Sequence, residues 1–221
     1  TRYFLNGIYF HKKKKDNGGL LSIVATDGHR LAKFDFHFKE DENEIPGVII
    51  PKKTINELYK LLMTFDGNVR INLNSNKIVF FIGDLVLTSK LIDGSFPDYR
   101  KVIPNDNNNI LKIDRLALSL AVDRVSTIIN EKSPVIKFRL LKNIVNISSV
   151  NSENGTATED IVANYIGDEI EIGFNSKYIL EMINNLEDDH IALNFKDSSS
   201  PVTAIEESNS NLIYVLMPMR V

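Results

Sequence analysis

No cysteine occurs anywhere in the 221 residues. That excludes disulfides, thiolate metal sites and thiol catalysis, and it agrees with a reducing, cytoplasmic setting. A run of about 18 apolar residues is missing too, so nothing is patterned to span a membrane as a helix. The opening Thr1-Arg-Tyr-Phe-Leu-Asn-Gly lacks the pattern of a secretory signal. Nor is there an excess of one charge: 26 basic against 29 acidic residues leave a net charge of -3. No global field draws such a chain to nucleic acid, and any DNA contact must rely on local asymmetry. A phosphate-cradling glycine loop, a metal-spaced His/Asp/Glu cluster and a serine in an elbow motif are also absent. The expected cofactor and metal complement is none.

What is present is the composition of a soluble globular protein, 43% hydrophobic and 25% charged, long enough for one large domain or two ordinary ones. The spacing predicts a strand over Phe4 to Lys13 and a hairpin return over Leu20 to Ala25, with the Lys12 to Lys15 run as a solvated tip. Thr26-Asp27-Gly28-His29-Arg30 reads as a tight turn. Leu31 to Phe38 then alternates, with Phe34, Phe36 and Phe38 on one face and Lys33, Asp35 and His37 on the other. A strand at Val48 to Ile50 leads into a helix opened by Pro51, with Ile55, Leu58, Leu61 and Leu62 at helical spacing. Strands follow at Val69 to Leu73, Lys77 to Ile82 and Leu85 to Ile92. Broken periodicity from Asp93 to Arg100 and a polar stretch from Asn105 to Asn109 bracket the domain boundary, set at 1–100 and 101–221.

Beyond it, Ile110 to Ile113 is a strand and Asp114 caps a helix whose Leu116, Leu120, Val125, Ile128 and Ile129 share a face. Ile136 to Leu141 and Ile144 to Val150 form a hairpin, and Asn154-Gly155 turns into a further strand. Glu169 to Phe174 is a strand, and Asn175 starts a helix with Ile179, Met182, Ile183 and Leu186. Strands at Ile191 to Phe195, Pro201 to Ile205 and Leu212 to Leu216 complete the pattern. The tail after Pro218 is apolar. Met217, Met219 and Val221 either cap a core or border a groove, since methionine adapts to short peptides of differing shape.

Lys53-Thr-Ile-Asn-Glu-Leu58 and Lys177-Tyr-Ile-Leu-Glu-Met182 match in order at an offset of 124, and Ile71-Asn-Leu73 matches Leu193-Asn-Phe195 at 122. The fold class is therefore α+β, a duplicated domain. The second copy carries a strand and helix (Ile110 to Ile129) before its hairpin. The first begins at the hairpin and is expected to lack them.

Six motifs, Thr1-Arg-Tyr-Phe-Leu-Asn-Gly, Ala25-Thr-Asp-Gly-His-Arg-Leu, Ser89-Lys-Leu-Ile-Asp-Gly-Ser-Phe-Pro-Asp-Tyr-Arg, Asn130-Glu-Lys, Glu171-Ile-Gly-Phe-Asn and Met217-Pro-Met-Arg, occur in an order that resembles the bacterial sliding clamps, the beta subunits of DNA polymerase III. The resemblance covers the whole chain. It implies two copies of the clamp repeat, a truncated middle one and the last, with antiparallel sheets outside and helices on the inner face. It also implies a processivity factor: a homodimeric ring around duplex DNA that meets polymerases, the clamp loader and repair proteins through short linear motifs. Such motifs enter a hydrophobic groove between the two repeats. Carried over by position, the groove takes Leu5, Thr26, Gly28, His29, Arg30, Leu31, Pro97, Lys101 and Val102 from the first repeat, and Asn175, Tyr178, Ser199, Pro201, Val215, Leu216, Met217, Pro218, Met219 and Arg220 from the second.

By the same resemblance Arg2, Tyr3, Phe4, Lys52, Lys53, Lys60, Arg115, Arg124 and Lys177 face DNA, and Thr127 and Ile128 belong to the dimer edge. The chain by itself is expected to be monomeric. Lys101 stands where arginine is frequent, Ser133 where some members carry an aromatic residue and Pro201 where serine is common, which bears on partner preference at the rim. Two other readings remain. One is an enzyme using Asp27 and His29 beside Arg30 as an acid/base pair, with His11, His37 and His190 as surface residues. The other is a non-DNA peptide adaptor of the same fold.

Overall fold

The computed structural model describes residues 2–15, 18–38, 45–129, 134–151, 153 and 155–221. The Asn130-Glu-Lys motif, Ser133, Thr1, Asn154 and the turn residues Asp16 and Asn17 lie outside the described residues, as do the side chains of Phe38 and of the lysines at 13–15. The chain divides into two compact units, Thr1–Gly28 with Ala32–Pro97, and His29–Leu31 with Asp98–Val221.

In the first unit a 3-10 turn at Tyr3–Leu5 precedes β1 (Gly7–Lys15), β2 (Gly18–Thr26), β3 (Arg30–Phe38, whose first two residues fall in the second unit) and β4 (Ile45–Pro51). Then come α1 (Lys52–Leu62) and a meander of β5 (Val69–Leu73), β6 (Lys77–Ile82) and β7 (Leu85–Lys90). The strands run in the orders β4-β1-β2-β3 and β5-β6-β7. Period-two alternation puts Ile78, Phe80 and Ile82 of β6 on one buried face. They meet Phe10, Val48 and Ile50 in a single core onto which Ile55, Leu58 and Leu61 of α1 pack. Leu62, expected on the same stripe, turns outward and is 38% exposed.

Two expectations fail here. His11 is buried rather than on the surface, and Lys12, at 5% exposure, is no solvated tip. The cause is β1's position between β2 and β4, which cover it from both sides: Lys12 pairs with Leu21 on one flank and Ile45 on the other. The His11 ring also packs 4.8 Å from that of Tyr9. In β3 the alternation does not sort apolar from polar by burial. Phe36 is half exposed, while Asp35 is held inward by a hydrogen bond from the Ser22 hydroxyl (2.7 Å) and an ion pair with Lys33. His37 and His190 are exposed.

The second unit contains β8 (Asn109–Asp114), α2 (Arg115–Ser126), β9 (Val135–Leu141), β10 (Ile144–Asn151), β11 (Gly155–Val162), β12 (Ile170–Asn175), α3 (Ser176–Asn184), β13 (His190–Phe195), β14 (Val202–Ile205) and β15 (Leu212–Leu216). Its strand orders are β11-β10-β9-β12 and β8-β13-β14-β15, and α2 and α3 pack side by side. Both helices start where a side-chain oxygen replaces the missing backbone acceptor: Asp114 accepts the N–H of Ala117, and Asn175 that of Lys177. Ile179, Met182, Ile183 and Leu186 are buried as their spacing predicts. The predicted face of α2 holds only in part, at Val125, which is buried, and at Ile129 just beyond the helix, which packs against the core. Leu118, Ala121, Val122 and Val125 point to the core, whereas Leu116 and Leu120 are 60% and 46% exposed. Apolar residues occur all round this helix, so periodicity offers two stripes, and contact with α3, β10 and β11 selects the one at 118, 121, 122 and 125. At the centre the Phe138 and Phe174 rings meet edge to face at 5.4 Å. Full burial of each such ring stabilises by roughly 1.5–3 kcal/mol. The strand-helix-strand series β4-α1-β5 recurs as β12-α3-β13, as the internal repeat predicts.

Candidate functional site

In the first unit the chain turns sharply at Thr26-Asp27-Gly28. The Thr26 hydroxyl accepts the Gly28 N–H at 3.1 Å, and Gly28 has φ +90°, a region in which a Cβ is strained. The turn delivers His29, Arg30 and Leu31 to the second unit. There the Met217 N–H donates to the His29 carbonyl at 2.9 Å. The His29 ring lies 6.3 Å from that of Tyr178 on α3, the two planes inclined by 27°, and the Arg30 guanidinium sits 4.3 Å from the same ring. Arg30 Nη1 also donates to Glu181 Oε2 at 2.5 Å. One further backbone bond, from the Met219 N–H to the Gly173 carbonyl (2.8 Å), fastens the tail to the outer edge of β12. A Cβ at Gly173 would lie 2.7 Å from the Met219 carbonyl and 2.6 Å from Val221, so only glycine admits this approach.

His29, Arg30, Tyr178 and Met217 are thus brought together, with Asn175 capping the helix that carries Tyr178. Met217, Pro218 and Met219 are half-buried, while Arg220 is exposed. Val215, Leu216 and Leu31 are buried beneath the surface. Lys101 pairs loosely with Asp98 at 3.6 Å, and Val102 follows it in a short 3-10 turn. Ser199 and Pro201 flank a loop in which the Asp197 carboxylate accepts the N–H groups of Ser199 (2.8 Å) and Ser200 (2.7 Å) and both their hydroxyls. Leu5, Thr26, Gly28 and Pro97 belong to the first unit.

The Asp197 hydrogen bonds, led by that from the Ser199 backbone, lower the carboxyl from its ordinary 3.8 to about 2. A depressed folded-state pKa gives stability that is present above the unfolded value and lost as pH falls through the folded one. The loop is therefore expected to hold at neutral pH and to loosen between about pH 4 and pH 2. A carboxyl-carbon NMR titration of Asp197 should show a midpoint near 2. A midpoint at the ordinary carboxylate value would mean that the loop is open in solution.

The residues expected to face DNA fall into two groups. Arg2, Lys52, Lys53 and Lys177 are exposed. Lys52 and Lys53 line a cleft of about 590 Å³ on the first unit together with Asn6, Asn56, Glu57, Tyr59 and Lys60. Tyr3, 63% exposed, meets Phe4 edge to face at 5.9 Å. The others are already engaged. Arg124 makes a two-point pair with Glu159 (3.0 and 2.5 Å), which raises the guanidinium's pKa and lowers the carboxyl's. Lys60 pairs with Glu57 (2.9 Å), and Arg115 donates to the Asp188 carbonyl (2.8 Å). Thr127, from the expected dimer edge, caps α2 and returns its hydroxyl to the Arg124 carbonyl. Ile128 follows, half-buried. No group of three or more His, Cys, Asp or Glu side chains among the described residues is placed to hold a metal. No helix among them is long and apolar enough to cross a membrane.

Comparison with known families decides the kinship. Residues 1–98 match the description "DNA polymerase III beta subunit, central domain", and residues 100–220 match "DNA polymerase III beta subunit, C-terminal domain". The chain belongs to the DNA polymerase III beta-subunit family. Among its relatives in that family, the beta sliding clamp of Caulobacter vibrioides is 40% identical over 221 residues and that of Escherichia coli (strain K12) 36% over 222. Each alignment covers all of this chain and 59% of the relative, so the chain spans about three-fifths of their length. The sliding clamp of Bartonella birtlesii, solved bound to griselimycin, superposes with a TM-score of 0.95 at 43% identity over the whole chain and 59% of its own. A Pseudomonas aeruginosa clamp, also bound to griselimycin, gives 0.92 at 36%, with the same coverage. The fold is that of the sliding clamps.

Two residues of this beta-subunit chain that sequence reasoning passed over stand out. Glu181, aligned with Glu57 in the internal repeat, carried one signal, its i,i+3 spacing from Tyr178 on one helix face. Gly173, inside an otherwise apolar strand, carried another, since glycine there marks close backbone approach.

Proposed function

We propose that this chain is the portion of a sliding clamp that receives short linear motifs of DNA polymerases, the clamp loader and repair proteins. The intact protein is a non-catalytic processivity factor of the cytoplasm that encircles duplex DNA as a homodimeric ring. This chain by itself closes no ring. The observation that carries the reading is the meeting, within the second unit, of three segments remote in sequence: His29 and Arg30, Tyr178 on α3, and Met217 of the tail. They combine adaptable apolar side chains, an aromatic face and a cation, the mixture that suits an apolar peptide anchor with polar atoms around it. The griselimycin complexes of the two relatives support it, since those clamps were solved with a bound ligand.

A fluorescein-labelled hexapeptide of glutamine, leucine and phenylalanine is expected to bind this chain with a Kd on the order of micromolar, because a short flexible peptide loses ordering entropy against a small interface. Anisotropy that rises without saturating up to millimolar protein would overturn the reading.

A further inference from the structure

Because β8 runs antiparallel to β13, with Asn109 opposite Phe195, the residues that lead into β8 lie alongside those that leave β13. Asp106, Asn107 and Asn109 grip that exit. The Asn107 side-chain amide donates to the Asn194 carbonyl at 2.8 Å and to the Pro201 carbonyl at 2.9 Å. Asn109 donates to the Lys196 carbonyl at 3.2 Å, and Asp106 pairs with the Lys196 ammonium at 2.7 Å. The polar stretch Asn105 to Asn109 thus does more than mark a boundary between domains. It straps both ends of the 196–201 loop, whose middle the Asp197 carboxylate gathers on itself.

What the strap holds borders the tail. β14 and β15 pair antiparallel with Val202 opposite Leu216, so the same register carried one residue further sets Pro201 opposite Met217. Pro201 has no N–H to give the ladder and its carbonyl accepts from Asn107, so a side chain pins the start of β14.

We infer that Asn107 is a positioning residue for peptide docking: by tying the Asn194 and Pro201 carbonyls together it holds Ser199 and Pro201 in one place beside Met217, without itself touching the ligand. The inference rests on the peptide-docking reading. A loop released from the strap samples several positions, and a ligand that docks against it must order it first, which weakens binding.

The test compares this chain with Asn107→Ala, using the labelled hexapeptide of glutamine, leucine and phenylalanine and the NMR signal of the Met217 methyl group. Asn107→Ala is expected to weaken binding about 5-fold, near the net strength of one ordinary hydrogen bond, and to shift the Met217 signal of the unliganded chain. The control Asn146→Ala removes an amide that also donates twice, to Thr158 at 2.9 Å and Asp160 at 2.7 Å, on the other sheet of the same unit, and should leave both readouts in place. A thermal melt accompanies each variant. Should Asn107→Ala melt below the titration temperature, Asn107→Ser takes its place with the same outcomes, since a hydroxyl has one proton to give to two carbonyls. Unchanged affinity in the Asn107 variant overturns its role and leaves peptide docking intact. Weakened binding with an unmoved Met217 signal overturns the route through the loop, and an equal loss in Asn146→Ala shows general loosening instead of positioning. Failure of the peptide to bind wild type overturns the docking reading and this inference with it.

Discussion

Removal of residues 217–221 is expected to weaken peptide binding at least about 100-fold, a loss of roughly 2.7 kcal/mol. The truncation deletes the N–H that Met217 gives to His29 and the one that Met219 gives to Gly173. Each such bond contributes a net ~0.5–1.5 kcal/mol. It also removes the two half-buried methionines whose thioethers would cover a ligand's apolar anchor. Without Met217, the His29 carbonyl loses that N–H, one of the contacts that position the His29-Arg30 segment beside Tyr178. The measurement is an anisotropy titration of the truncated chain beside wild type, with a thermal melt to show that the second unit still folds. Its core residues lie in β8 through β15 and do not include the tail, so folding should survive. Unchanged affinity would place the docking surface elsewhere on the chain.

The second large effect concerns duplex DNA. For this chain alone, binding at about 0.15 M salt is expected to be barely detectable, then to strengthen roughly 20-fold as salt falls to about 0.05 M, with no dependence on sequence. Arg124, Lys60 and Arg115 are already engaged by Glu159, Glu57 and the Asp188 carbonyl. Exposed cations such as Lys52, Lys53 and Lys177 remain, and about three phosphate contacts give the salt slope used here. These lysines, on α1 and α3, offer point charges to phosphates, which carry no sequence information. Tyr3 and Phe4 add one aromatic pair, a small term without a channel to hold the strand against it. A labelled duplex titrated at the two salt concentrations tests this. A tight complex that ignores salt, or one that distinguishes sequences, would reveal a recognition site other than the scattered lysines.

Local signals in the sequence were enough for most elements. Strands at Val69–Leu73 and Lys77–Ile82 stand where alternation places them. Asp114 and Asn175 cap their helices because a short polar side chain just ahead of an apolar period has one favourable use. What failed depended on neighbours that local pattern does not name. Whether His11 and Lys12 are buried is decided by β2 and β4 closing over β1, and the core stripe of α2 is chosen by the surface it lands on. The site shows the same division. The resemblance nominated Arg30 and Tyr178 one by one, but the pairing of Arg30 with Glu181 spans 151 residues. No periodicity reports a contact at that distance. It becomes visible only when strand start, helix and tail stand in one unit.

The bond between Met219 and Gly173 reaches beyond binding. A glycine in the middle of a strand usually weakens it, and here it leaves the space through which the tail passes. A side chain at position 173 is therefore incompatible with this path of the backbone at 219 and crowds the side chain at 221. Any lineage that places a larger residue at 173 must reroute or shorten its last residues in the same evolutionary step, and any lineage that loses the tail releases 173 from its restriction.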